Sequence, residues 1–134
     1  MTEPNKTTRP AHVLVVDDNV ELADTYRQLL EAFDYRVTTM ANGELALKFI
    51  LENEVDIVLC DLSMPGLEGD EFYKAARKAR PELARRFIFV TGHVNNPKYD
   101  PFLKSGEVRV LYKPVQVNNL MSALKAVLEE PAKK

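Results

Sequence analysis

Five short apolar runs recur along the chain: His12–Val16, Tyr35–Met40, Val55–Cys60, Phe87–Val90 and Val108–Tyr112. β-branched residues are common in them, as strands prefer. Segments with helical spacing separate them. Mostly uninterrupted apolar strands must be covered on both faces, and repeated strand–helix–strand units return in parallel through right-handed crossovers. The alternation therefore predicts an α/β domain, a five-stranded parallel sheet between layers of helices.

The helical segments support this. Asn19–Phe33 repeats Leu22, Ala23, Tyr26, Leu29, Leu30 and Phe33 on one face. Asn42 is placed to cap a helix whose stripe is Leu45, Ala46, Phe49 and Ile50. Gly69-Asp70 opens a helix carrying Phe72, Tyr73, Ala75, Ala76 and Ala79, which Pro81 bounds. Val117–Leu128 ends the pattern with Leu120, Met121, Leu124, Val127 and Leu128. Asn95–Lys104 is in conflict with itself. Pro97 suits a first turn, but Pro101 inside a helix costs about 3 kcal/mol. A short, broken or irregular element is expected there.

Bulk properties narrow the function. With 46% hydrophobic and 28% charged residues, the 134-residue chain reads as one soluble globular domain. A net charge of -2 and a pI near 5.7 argue against direct nucleic-acid binding. No apolar run approaches the roughly 20 residues of a membrane span, so no membrane insertion is expected. The start, MTEPNKTTRPAH, lacks the apolar stretch of a secretory leader. Cys60 is the single cysteine, which excludes an internal disulfide framework and suits the cytoplasm. Residues 1–11 and 130–134 are expected to be tails flanking a domain over 12–129.

The chemistry gathers at strand ends. Val55–Cys60 runs straight into Asp61, then into a turn-rich stretch with Ser63, Pro65, Gly66 and Gly69. Asp17-Asp18 follow the first strand, Thr91 the fourth and Lys113 the fifth. Parallel strands deliver all of these to one edge, the edge where open α/β sheets bind ligands. Three carboxylates in one pocket repel one another and call for a cation. Hard oxygen donors select Mg²⁺ or a similar ion. Lys113 adds a positive charge and Thr91 a hydroxyl. With a metal, these are the parts that hold a phosphoryl group. Asp61 is then the natural nucleophile, giving an acyl phosphate.

These residues resemble the receiver domain of two-component response regulators. The motifs are the acidic pair in VVDD, the CDLSMPGLEG loop, the TG after the fourth strand and the KP after the fifth. Each is weak alone, but their order and spacing together are specific over His12 to Leu128. The resemblance implies a flavodoxin-like (βα)5 three-layer sandwich with strand order 2-1-3-4-5. It implies Asp61 as phosphoacceptor, with Asp18, Asp61 and the main-chain carbonyl of Ser63 on Mg²⁺ and Asp17 acting through water. Thr91 and Lys113 would grip the phosphoryl oxygens. The implied donor is a sensor histidine kinase or phosphotransfer protein, or a small molecule such as acetyl phosphate. The domain would be a signalling phosphoacceptor whose catalysis is directed only at itself, as a monomer or weak homodimer.

Two features depart from that pattern. Where the family often carries a switching aromatic, three residues before the lysine, this chain has Val110. Tyr112 shares its face but lies about 7 Å further along the strand. Pro97 and Pro101 fall in the fourth helix; with the aliphatic Val110 they also resemble receivers attached to hybrid sensor kinases.

Simpler readings exist for each residue. Asp17-Asp18 alone would be a helix-capping turn pair, Thr91 a polar strand end and Lys113-Pro114 a solvated lysine before a turn. Their company favours the site, and a cis peptide before Pro114 would aim the lysine inward. Cys60 reads as a small buried hydrophobe. His12 is expected to be solvated at a strand start. His93 reads as a loop histidine, or with Ser63 as a tuner of water access. The basic run Lys74, Arg77, Lys78, Arg80, Arg85, Arg86 reads as a solvated face. A metal-dependent aspartyl-phosphate hydrolase is the enzymatic alternative, but it needs a second acid where Ser63 stands. A pseudo-receiver would have lost an acid or the lysine. A flavin domain would need a hydroxyl- and Gly-rich loop after the first strand.

Overall fold

The structure is a computed structural model, and it describes residues 10–92, 96–106 and 108–129. Five strands are present: β1 (His12–Val16), β2 (Arg36–Met40), β3 (Ile57–Asp61), β4 (Phe87–Thr91) and β5 (Arg109–Tyr112). They form one parallel sheet in the order β2-β1-β3-β4-β5, as the resemblance implied. The helices are α1 (Val20–Ala32), α2 (Gly43–Glu52), α3 (Gly69–Ala79), α4 (Asp100–Leu103) and α5 (Val117–Glu129). The tails expected over residues 1–11 and 130–134 fall almost wholly outside the described residues, as does His93.

Burial explains the sequence pattern. Every residue of β1 and β4 is buried. Such strands need no alternation, because each side chain meets a helical layer whichever way it points. On one face Val13, Val15, Ile57, Leu59, Ile88 and Val90 pack with α1 and α5 through Ala23, Tyr26, Leu30, Leu120 and Leu124. On the other, Leu14, Val58, Phe87 and Phe89 pack with α2, α3 and α4 through Ile50, Phe72, Tyr73 and Leu103. Edge strand β2 is half-exposed and more polar in composition.

Local signals fix the helix starts. The Asn19 side chain accepts from the Leu22 amide at 3.1 Å, and Asn42 from that of Leu45 at 2.8 Å. These caps satisfy amides that the first turn leaves open. Between β4 and β5 the helix shrinks to the four residues of α4. Pro101 sits in its first turn, where a missing N–H does no harm. Ahead of it residues 97–99 are turn, and Asn95, where the expected segment began, lies outside the described residues. Pro81 does more than bound α3: it starts a 3-10 turn, Pro81–Arg85, anchored by buried Leu83.

One expectation is overturned. His12 is not solvated but only 3% exposed. Its Nδ1 bonds the Glu54 carbonyl at 2.9 Å, its Nε2 bonds Thr38 Oγ1 at 2.8 Å, and its ring meets Phe49 edge-on. Its backbone amide donates to Asp56 Oδ2 at 2.8 Å. These partners supply what water would have supplied. Burial, the largest influence, lowers its pKa below the ordinary histidine value.

Candidate functional site

β1 and β3 are adjacent and in register, with Val16 beside Cys60. Their next residues, Asp17 and Asp61, therefore emerge side by side. Among the described residues, Asp17, Asp18 and Asp61 form a group whose carboxylate oxygens lie within 4.8 Å of one another, close enough to share a metal ion. Asp17 is 3% exposed and accepts from the Asn19 amide at 2.9 Å, while Asp18 is exposed.

β5 brings the cation. The Lys113 amide donates to the Thr91 carbonyl at 2.9 Å, so both chain ends meet at the same edge. Lys113 Nζ lies 3.6 Å from Asp61 Oδ1, and the Lys113–Pro114 peptide is cis, as expected. Thr91 is fully buried at the end of β4. Ser63 is exposed, two residues beyond Asp61.

Three carboxylates face one ammonium at this edge. Burial, then the neighbouring Asp17 carboxylate, pushes the Asp61 pKa up to about 6, although Lys113 pulls the other way. Burial also raises Asp17. Tyr26, on the inner face of α1, is pushed up to about 12 by burial and by the charges of Asp17 and Asp61. Cys60 is fully buried, as expected, and its thiol is pushed well up by the same causes.

The loop after Asp61 is held tightly. Gly69 donates its amide to the Leu62 carbonyl at 2.9 Å, and a Cβ there would lie 2.6 Å from the Asp61 carbonyl oxygen. The Leu67 amide donates to Glu44 Oε2 at 3.1 Å, and Gly66 takes a φ of +77° against that carboxylate. Glu68 is gripped from the other side. Tyr99 Oη donates to its Oε1 at 2.9 Å and Lys98 Nζ pairs with its Oε2 at 3.0 Å.

Neither Tyr99 nor Glu68 stands out in the sequence. Their 31-residue separation hides the contact; the visible signal was an aromatic lodged between Pro97 and Pro101. Val110 is half-buried and packs on the cluster that contains Tyr99, while Tyr112 is 45% exposed beside Thr91.

The family model described as "Response regulator receiver domain" matches residues 13–125. The chain belongs to the response regulator receiver domain family. This receiver is 31% identical to the hydrogenase transcriptional regulatory protein HoxA of Cupriavidus necator, over 90% of its own length and 25% of HoxA. It thus spans about a quarter of that relative. A CheY-like receiver domain protein from Methanospirillum hungatei superposes with a TM-score of 0.81 at 28% identity, covering 90% of this chain and 95% of that one. Response regulator TrrA of Thermotoga maritima, solved in complex with Mg²⁺ and BeF, superposes at 0.76 with 27% identity, covering 87% and 98%. No helix among the described residues is long and apolar enough to cross a membrane.

Proposed function

We propose that Asp61 takes a phosphoryl group from the phosphohistidine of a sensor histidine kinase or phosphotransfer protein, and that the domain switches partner binding as a result. One observation carries this reading: three carboxylates converge with Lys113 at the end of a parallel sheet. Membership of the receiver family supports it.

The donor set fits a hard divalent cation. Three clustered carboxylates beside a single ammonium leave net negative charge for a cation to balance, and the oxygens are of the type Mg²⁺ prefers. Asp17, Asp18, Asp61 and the Ser63 carbonyl would hold it, and the bound ion would neutralise charge on the phosphoryl oxygens. In the transfer, an Asp61 carboxylate oxygen attacks phosphorus. The P–N bond breaks as the P–O bond forms, and the electron pair leaves on the imidazole nitrogen, which takes up a proton. Lys113 and Thr91 would contribute an ammonium and a hydroxyl to the transferring oxygens. The tight loop holds Asp61 in place for attack. Hydrolysis of the acyl phosphate would be the domain's own activity, and acetyl phosphate an alternative donor.

Intact mass spectrometry after incubation with acetyl phosphate and Mg²⁺ tests the assignment. Wild type gains one phosphoryl mass and Asp61→Asn gains none. Equal labelling of both proteins would displace Asp61 from the role.

A further inference from the structure

We infer that Tyr99 is a positioning residue that couples the Asp61 site to α4, through its bond to Glu68. The inference rests on the phosphoacceptor reading. Tyr99 is 3% exposed, with its ring in the core and its hydroxyl on Glu68 at the rim of the loop after Asp61. Lys98 holds the second oxygen of the same carboxylate. Two consecutive residues thus fasten the start of α4 to one loop residue.

That loop residue stands close to the chemistry. Glu68 adjoins Gly69, which lies against the Asp61 carbonyl too closely for any side chain. The Gly69 amide also donates to the carbonyl of Leu62, the residue after Asp61, at 2.9 Å, so movement of that backbone is passed to Gly69 and to the adjoining carboxylate that Tyr99 grips. The other end of the same connection is Thr91, eight residues before Tyr99.

α4 is seated on the core by buried Leu103 and by Phe102, whose ring meets Tyr73 and Phe89 edge-on; its polar ties to the loop run through Tyr99 and Lys98. The Leu103 amide donates to the Tyr99 carbonyl and that of Lys104 to the Asp100 carbonyl, each at 2.9 Å. Four residues cannot sustain a helix alone, so its position follows its contacts: the apolar seat of Phe102 and Leu103, and the bonds of Tyr99 and Lys98 to Glu68. Val110, on the same side of the sheet, packs against the cluster holding Tyr99 but has no polar atom to bond the loop. The hydroxyl of Tyr99 supplies that bond.

Hydrogen exchange on the full chain, with and without Mg²⁺ plus beryllofluoride, tests the coupling. In wild type, exchange of the Leu103 and Lys104 amides changes by at least about fivefold, and that of Gly69 changes too. Tyr99→Phe keeps the ring, melts within a few degrees of wild type and keeps the Gly69 response. Its α4 response falls below about twofold. Glu68→Gln, which retains an acceptor, keeps the α4 response, whereas Glu68→Leu loses it. A full α4 response in Tyr99→Phe overturns the inference. A wild-type response at Gly69 with none at α4 also overturns it, while leaving the phosphoacceptor reading standing. Silence at both places overturns both.

Discussion

Two neighbouring parts of the sheet edge are built in opposite ways. On one side, β1 and β3 each hydrogen-bond to a strand on either hand and end in the acids. The 13-residue α1 follows, capped by Asn19 and anchored by Ala23, Tyr26 and Leu30. On the other side, β4 leads to a four-residue helix with Pro101 in its first turn, seated by Phe102 and Leu103 and tied by Tyr99 and Lys98 to Glu68. A carboxylate that must meet an incoming group in one geometry belongs on a stiff support. A segment that must respond belongs where few bonds oppose movement. The contrast separates holding a group from reporting it.

The largest expected effect attacks the stiff side. Gly69→Ala drives a methyl group into the Asp61 carbonyl and the Leu62 backbone, and should destabilise by about 2–4 kcal/mol in urea unfolding. If it is no worse than a change in α4, the contrast fails. Next comes Asp61→Asn. The folded pKa of Asp61 is raised, so above pH 6 its ionised form opposes folding. That penalty fades as pH falls through 6 toward the unfolded value of 3.8. The variant should be more stable than metal-free wild type by on the order of 1–3 kcal/mol at pH 7.5. The gain should shrink at pH 4; an undiminished gain would refute the charge explanation.

His12 tests the far end of the same stiff strand. Its folded pKa lies below the unfolded one, so the unfolded chain takes up the proton first and stability falls as pH drops below 6.5. His12→Gln should remove this acid-side loss between pH 6.5 and 5, read from urea midpoints. An identical pH profile in the variant would assign the loss to other groups. The smallest effect belongs to the compliant side. Pro101→Ala should cost only about 0.4–1 kcal/mol, by freeing the unfolded chain, and leave acetyl phosphate labelling unchanged. Impaired labelling would mean that α4 helps to hold the group.

The stiff side was the legible one. Strands buried on both faces advertise themselves as unbroken apolar runs, and an acid at the end of such a run has one place to go. Asp17, Asp18, Asp61, Thr91 and Lys113 are therefore gathered by the sequence pattern alone. Contacts made across the fold left no periodic trace. His12 read as a polar residue at a strand start because its partners, Glu54 and Thr38, come from other segments. Tyr99 carried no sign of Glu68. Pro101 warned of a defective helix but could not say that the defect would fall harmlessly in a first turn.

The strand order has a mechanical consequence. β1 lies between β2 and β3, paired with both along most of its length. Tension applied at Pro10 would load both ladders in shear, so that many hydrogen bonds must yield together. Tension applied at Glu129 would meet α5, which could peel from the sheet a turn at a time. Under force the domain should resist at its amino end and give at its carboxyl end.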